Sequence, residues 1–150
     1  MKWAALVVWV ITALGGFGLL AIWLQRGGMR QGDQPGRRIR PPLIFTHLLL
    51  AAGGLVIWIV YLAVNKRALA WISFGVLLVV ASLGFGMLAL WLQRRQAAPA
   101  AASAGEGSLA GEASMPAEQH FPVPIVVIHG LVAATTLVLV LLTALKVGGS

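Results

Sequence analysis

The chain has 150 residues, 59% of them hydrophobic and 10% charged, with a formal net charge of +7 and no cysteine. A soluble domain carries about 25% charged residues. This balance, with a mean hydropathy of +0.91, excludes an ordinary water-soluble core and places the chain in the membrane class. The lack of cysteine excludes disulfides, iron–sulfur clusters, thiolate-ligated haem and covalent C-x-x-C-H haem attachment. The positive charge does not read as a nucleic-acid groove. The basic residues stand at the ends of apolar runs, where they act as topology signals and lipid-headgroup contacts.

The first apolar run goes from Trp3 to Leu24. At about 1.5 Å per residue it reaches roughly 30 Å, enough to cross a bilayer core. It is too long for a signal-peptide core and no small-x-small site closes it, so it reads as a retained span. A polar loop from Gln25 to Pro41 follows, with Arg26, Arg30, Arg37, Arg38 and Arg40 against a single Asp33. The second run, Pro42 to Val64, begins on a proline suited to a first helical turn and ends at Asn65-Lys66-Arg67. The third run goes from Leu69 to Leu92 and stops at Gln93-Arg94-Arg95. Residues 97–119 are rich in Ala, Ser, Gly and Pro and contain Glu106, Glu112 and Glu118. That composition predicts a flexible linker. The fourth run spans Phe121 to Leu145, with Pro122 and Pro124 at its start. The expected fold is all-α, a bundle of four transmembrane helices.

The chain repeats itself. Shifted by 68 residues, the first run lands on the third: Trp3 meets Trp71, Gly16-Phe17-Gly18 meets Gly84-Phe85-Gly86, and Trp23-Leu24-Gln25-Arg26 meets Trp91-Leu92-Gln93-Arg94. Shifted by 82, the second lands on the fourth: Pro42 meets Pro124, His47 meets His129, and Ala51-Ala52 meets Ala133-Ala134. Chance apolar similarity accounts for Leu over Leu, not for these polar, glycine and tryptophan matches together. Residues 1–68 and 69–150 therefore read as two copies of one hairpin. The unit has an even number of spans, so both copies enter the membrane in the same sense, as a parallel repeat. His47 and His129 should then lie at one depth.

Arg26, Arg30, Arg37, Arg38, Arg40, Arg94 and Arg95 follow spans one and three, against Lys2, Lys66, Arg67 and Lys146 on the other side. The positive-inside rule puts the two long loops in the cytoplasm of a bacterial inner membrane. Trp23 and Trp91 at one face, with Trp3, Trp58, Tyr61 and Trp71 at the other, are expected to form interfacial belts.

An intramembrane histidine is costly and marks a functional site by default, although a single one also serves as hydrogen-bonding glue between helices. Two at matched positions suggest a shared site. Short loops favour an up-down-up-down bundle in which spans two and four are diagonal. Adjacent axes pack at about 8–10 Å, so the diagonal is roughly 11–14 Å. That is too wide for a direct bond between the imidazoles and suits iron held from both sides, as in haem b with two axial histidines. His47 and His129 are the expected ligands. Gly16, Gly18, Gly84 and Gly86 would clear room for the macrocycle's edges. Ala51 and Ala133, one turn beyond each histidine, would leave space over its faces. Arg37, Arg38 and Arg40 would meet its propionates at the loop end. Thr46, Thr135 and Thr136 are candidate partners for the second imidazole nitrogens. Zinc or copper would want more ligands than two histidines, His120 being at the interface and without a twin. No acidic residue falls within a span, which counts against a proton or ion carrier. No hydrolase or nucleotide-binding pattern is present.

One histidine on each of two facing spans, with glycines on the other two, resembles the membrane-embedded b-type cytochromes. The resemblance implies haem and electron transfer, with ligands for one haem. The run Pro41-Pro42-Leu-Ile-Phe-Thr-His47-Leu-Leu-Leu50 and the last span resemble small four-span membrane proteins of actinobacteria. Two other readings stay open: an accessory or structural subunit without a cofactor, and a protein that binds a quinone or small molecule with His47 and His129 as hydrogen-bond donors. The partners these readings imply are the lipid bilayer, a redox partner or quinone, and further copies or subunits in a membrane complex.

Overall fold

A computed structural model describes residues 1–30, 39–103 and 117–146. It contains helices α1 (Lys2–Gln25), α2 (Pro41–Val64), α3 (Arg67–Ser103) and α4 (Val123–Ala144), and a 3-10 turn at Ala117–His120. All four helices are long and apolar enough to cross a membrane. The protein is an all-α, four-helix membrane bundle.

The ends of the helices follow from local chemistry. After α1, Gly28 N–H donates to the Trp23 carbonyl and Gly27 N–H to the Leu24 carbonyl, with Gly27 at φ 78°. This is the Schellman arrangement, which needs a left-handed residue at the stop. The Trp23 ring folds back over Gly28, where an added Cβ would overlap it. At the start of α2, Arg40 is extended and the prolines that follow fill the first helical positions, where a missing N–H costs nothing. Asn65, left-handed at φ 53°, closes α2, and its N–H donates to the Tyr61 carbonyl at 2.8 Å. Only Lys66 then separates it from α3, so α2 and α3 lie antiparallel and adjacent.

The third helix overruns its expected end. It continues from Leu92 to Ser103 because alanines at 97, 98 and 100–102 are strong helix formers. Pro99 gives up one backbone bond there without ending the helix. The expected linker is therefore helical at 97–103 and a 3-10 turn from 117; residues 104–116 of it lie outside the described residues.

Helix α1 packs along α4, and α2 along α3; α3 meets α4 less extensively, and α1 meets α2 least. Among the described residues the backbone of α2 does not come close to that of α4, nor that of α1 to α3. These are the two diagonals, as the short-loop argument requires. The bundle is thus two tight helix pairs set side by side. The far end holds the N-terminus of α1, the Asn65 turn and the C-terminus of α4. The loop end holds the starts of α2 and α4.

The packed core belongs to the far half. Ala5, Trp9, Trp58, Tyr61, Leu77 and Val140 form it, with Trp9 and Trp58 ring centroids 6.4 Å apart and Trp58 and Tyr61 4.8 Å apart. Arg67 Nε donates to the Ala144 carbonyl at 3.0 Å, joining α3 to the end of α4. The expected tryptophan belts are mostly absent. Trp23, Trp58 and Trp91, and Trp9 besides, are 4% exposed or less, whereas Trp3 is 62% and Trp71 39% exposed. The buried indoles pack between helices, as Trp9 does against Trp58 and Trp23 against Phe45, instead of facing outward.

Candidate functional site

Helices position both histidines in the loop half. His129 lies six residues into α4 and His47 six into α2, about 9 Å along each axis. Each ring packs onto a glycine of the partner helix in its tight pair. A Cβ built at Gly16 would stand 3.1 Å from His129 Cε1, and one at Gly84 3.3 Å from His47 Cε1. The two contacts are equivalent under the duplication, since Gly16 matches Gly84 and His129 matches His47.

His129 is anchored. Its Nδ1 lies 3.0 Å from the Thr12 carbonyl, an acceptor, so Nδ1 carries the hydrogen and donates it. The Nε2 lone pair is then bare. A carbonyl inside a helix is normally covered by the side chains three and four residues on, which lean back over it. For Thr12 those residues are Gly15 and Gly16. Their missing side chains let an imidazole from α4 reach the carbonyl; an added Cβ at Gly15 would stand 3.4 Å from His129 Nδ1.

His47 differs. Its Nδ1 faces the carbonyl of Val80, the counterpart of Thr12, but falls short of the distance and angle of a full hydrogen bond. The residues over the Val80 carbonyl are Leu83 and Gly84. Leucine stands where the other site has Gly15, and only half of the notch is open.

The remaining expected residues fall into three groups. Ala51 and Ala133 are half-buried one turn beyond the histidines, on the same faces. Gly18 and Gly86 are exposed, and an added Cβ at either meets nothing within 4 Å. Two residues along a helix is about 200° of rotation, so they face away from the rings that Gly16 and Gly84 support. Arg40 is exposed at the cap of α2, while Arg37 and Arg38 lie outside the described residues.

The threonines expected to hold the imidazoles do not. Thr46 is exposed. Thr135 Oγ1 donates to its own helix at Leu131. Thr136 is buried between Val132 O and Thr12 Oγ1, at 2.9 and 3.1 Å. The partner of His129 is a backbone carbonyl, which no side-chain pattern reveals. The pair Gly15-Gly16, three and four residues beyond Thr12, was the available signal.

Over the loop end lies the 3-10 turn, packed on α1 and α3, with Ala117 and Glu118 fully covered and His120 half-buried. No group of three or more His, Cys, Asp or Glu side chains that could hold a metal ion occurs among the described residues. The chemical possibilities at the pair are therefore those of two imidazoles. Compared with family models, curated proteins and solved structures, the chain matches none.

Proposed function

We propose that His47 and His129 hold one haem b between them, and that the protein is a small b-type cytochrome of a bacterial cell membrane with its loop end in the cytoplasm. The observation that carries the reading is the His129 anchor. Nδ1–H donating to a backbone carbonyl is how proteins fix a metal-ligating histidine in orientation and tautomer, leaving Nε2 for the metal. The fit extends to the second ligand. His47 comes from the diagonal helix at the same depth, and glycines clear the partner helix beside both rings. Haem bound here supplies one-electron redox chemistry, and without cysteine its attachment is non-covalent.

The chain's own residues do the rest. His47 and His129 would hold a haem from both sides, which would leave no open site on it for small gaseous ligands and would favour electron transfer. Ala51 and Ala133 keep bulk off the shared space. Arg40 supplies positive charge at the end where propionates would emerge. The Trp9–Trp58–Tyr61 core fills the far half, so electrons pass at the loop face, to a redox partner or quinone.

One observation favours a second reading. The buried Nδ1 of His47 makes no full hydrogen bond, which leaves it able to serve a quinone carbonyl. A reduced-minus-oxidised visible spectrum of haem-replete protein decides. Six-coordinate haem bands that vanish in the His47→Ala/His129→Ala double variant are expected. A wild-type protein without haem bands, or a double variant with bands unchanged, sinks the cytochrome reading and leaves the quinone site or an accessory subunit.

A further inference from the structure

Helices α1 and α4 belong to different copies of the repeat, and two hydrogen-bonding contacts join them through one residue. His129 Nδ1 donates to the Thr12 carbonyl at 3.0 Å. Thr12 Oγ1 lies 3.1 Å from Thr136 Oγ1. Each hydroxyl also lies 2.9 Å from a carbonyl of its own helix, Val8 for Thr12 and Val132 for Thr136. Two hydroxyl hydrogens serve this set, so one crosses between the helices while the other stays on its own carbonyl. Thr136 is buried.

The two helices run antiparallel, α1 toward the loop end and α4 away from it. A helix carbonyl points toward the C-terminus and a side chain leans toward the N-terminus. The Thr12 carbonyl therefore points to the loop end, where His129 stands. Its hydroxyl leans to the far end, where Thr136 stands. His129 and Thr136 are seven residues apart on α4, two turns or about 10 Å along one face. Thr12 is thus gripped from both sides. Sliding α4 by one residue's rise, about 1.5 Å, would crowd one contact and take the other out of hydrogen-bond range. The counterparts of Thr12 and Thr136 are Val80 and Gly54, which have no hydroxyl, and there the histidine falls short of its carbonyl. Helices α2 and α3 are pinned instead by Ser73 Oγ on the Gly54 carbonyl, at a longer 3.3 Å.

We propose that Thr12 and Thr136 form a register clamp, and that Thr136 is a positioning residue for His129. The hydroxyl pair fixes where α4 sits along α1. It thereby keeps the Thr12 carbonyl within reach of the imidazole. Gly15 and Gly16 give the ring access to that carbonyl; the threonines hold the register in which it gets there. The clamp stands on these distances, and its effect on a bound group rests on the haem reading.

Nitrogen-15 NMR of labelled histidine in the full chain, reconstituted in phosphatidylcholine vesicles without added haem, tests the clamp. Thr136→Val removes one hydroxyl and strands no donor, because the Thr12 hydroxyl keeps the Val8 carbonyl. The His129 Nδ1–H should lose its hydrogen-bonded signal, and the ring should exchange between tautomers. Thr136→Ser returns the hydroxyl and should return the signal. Thr135→Val is the control, since the exposed Thr135 hydroxyl donates to Leu131 of its own helix; it should leave His129 unchanged. Haem affinity of Thr136→Val should fall about threefold, the worth of one interhelical hydrogen bond in a membrane. Should Thr136→Val fail to insert, Thr12→Val gives the same test with the residue that α3 carries at the matching position. Wild-type His129 signals in the valine variant overturn the clamp even if its melting temperature falls, because a merely structural contact lowers stability and leaves the ring where it is. A wild type with no haem bands under any condition overturns the haem reading instead, and the NMR result still decides the clamp.

Discussion

His129 and His47 occupy equivalent places in a duplicated chain, and one is finished where the other is not. His129 donates to the Thr12 carbonyl at 3.0 Å; His47 faces the equivalent Val80 carbonyl without reaching full hydrogen-bond geometry. The glycine that clears the ring is present at both sites. The glycine that clears the carbonyl is Gly15 at one, and Leu83 replaces it at the other. A repeat can thus keep a histidine and its notch while weakening the contact that orients it. The site then has one firmly held imidazole and one held less well.

The largest effect should come from removing each histidine singly. Matched motifs alone would make His47→Ala and His129→Ala equally severe. The anchor makes them unequal. Contacts that orient a ligating histidine are worth about 10- to 100-fold in affinity, so His129→Ala should weaken haem binding about tenfold more than His47→Ala. A haem titration of each variant measures this. Equal losses would mean that the Thr12 bond does not contribute to the bound state.

Bulk in the notches should act next. A side chain forced into a packed site costs about 1–3 kcal/mol. Gly16→Leu strikes an imidazole that is tethered and already touched by Gly15, so the ring cannot move aside. Gly84→Leu strikes one that is held less firmly. Haem occupancy and thermal stability should both fall further for Gly16→Leu. Gly18→Leu and Gly86→Leu, on exposed faces, are the controls: haem occupancy should not change, and stability should equal wild type or exceed it by up to about 1 kcal/mol, since a helical glycine is removed. Occupancy lost in the controls would mean that the macrocycle reaches the outer helix faces.

What was legible in the sequence follows the same division. Four spans were readable because hydrocarbon admits only long apolar helices. The shared depth of His47 and His129 was readable because the motifs repeat with fixed spacing. The face of each glycine needed finer use of helical rotation: Gly16 and Gly18 look alike in the motif but point about 200° apart. The inward tryptophans were not readable. A tryptophan at the edge of an apolar run suits an interfacial belt or a gap between helices, and only the width of that gap selects between them. The helical extension to Ser103 was hidden by Pro99 and by a composition shared with linkers.

The smallest effect is the sharpest. Leu83→Gly would give His47 the same open carbonyl that His129 has. A glycine inside a helix costs about 1 kcal/mol, and the leucine's packing is lost as well, so the variant should be somewhat less stable than wild type. Its His47 should nevertheless become the better ordered ring, with Nδ1 donating to the Val80 carbonyl and Nε2 left bare. Nitrogen-15 NMR of labelled histidine in the apo-protein reads this directly. Wild type should show one hydrogen-bonded Nδ1–H, from His129, and the variant two. The converse change, Gly15→Leu, should leave none. If His47 in Leu83→Gly keeps its wild-type signals, the leucine is not the obstacle. The difference between the two sites would then have to lie in the position of α2 against α3, and not in the one residue that covers the carbonyl.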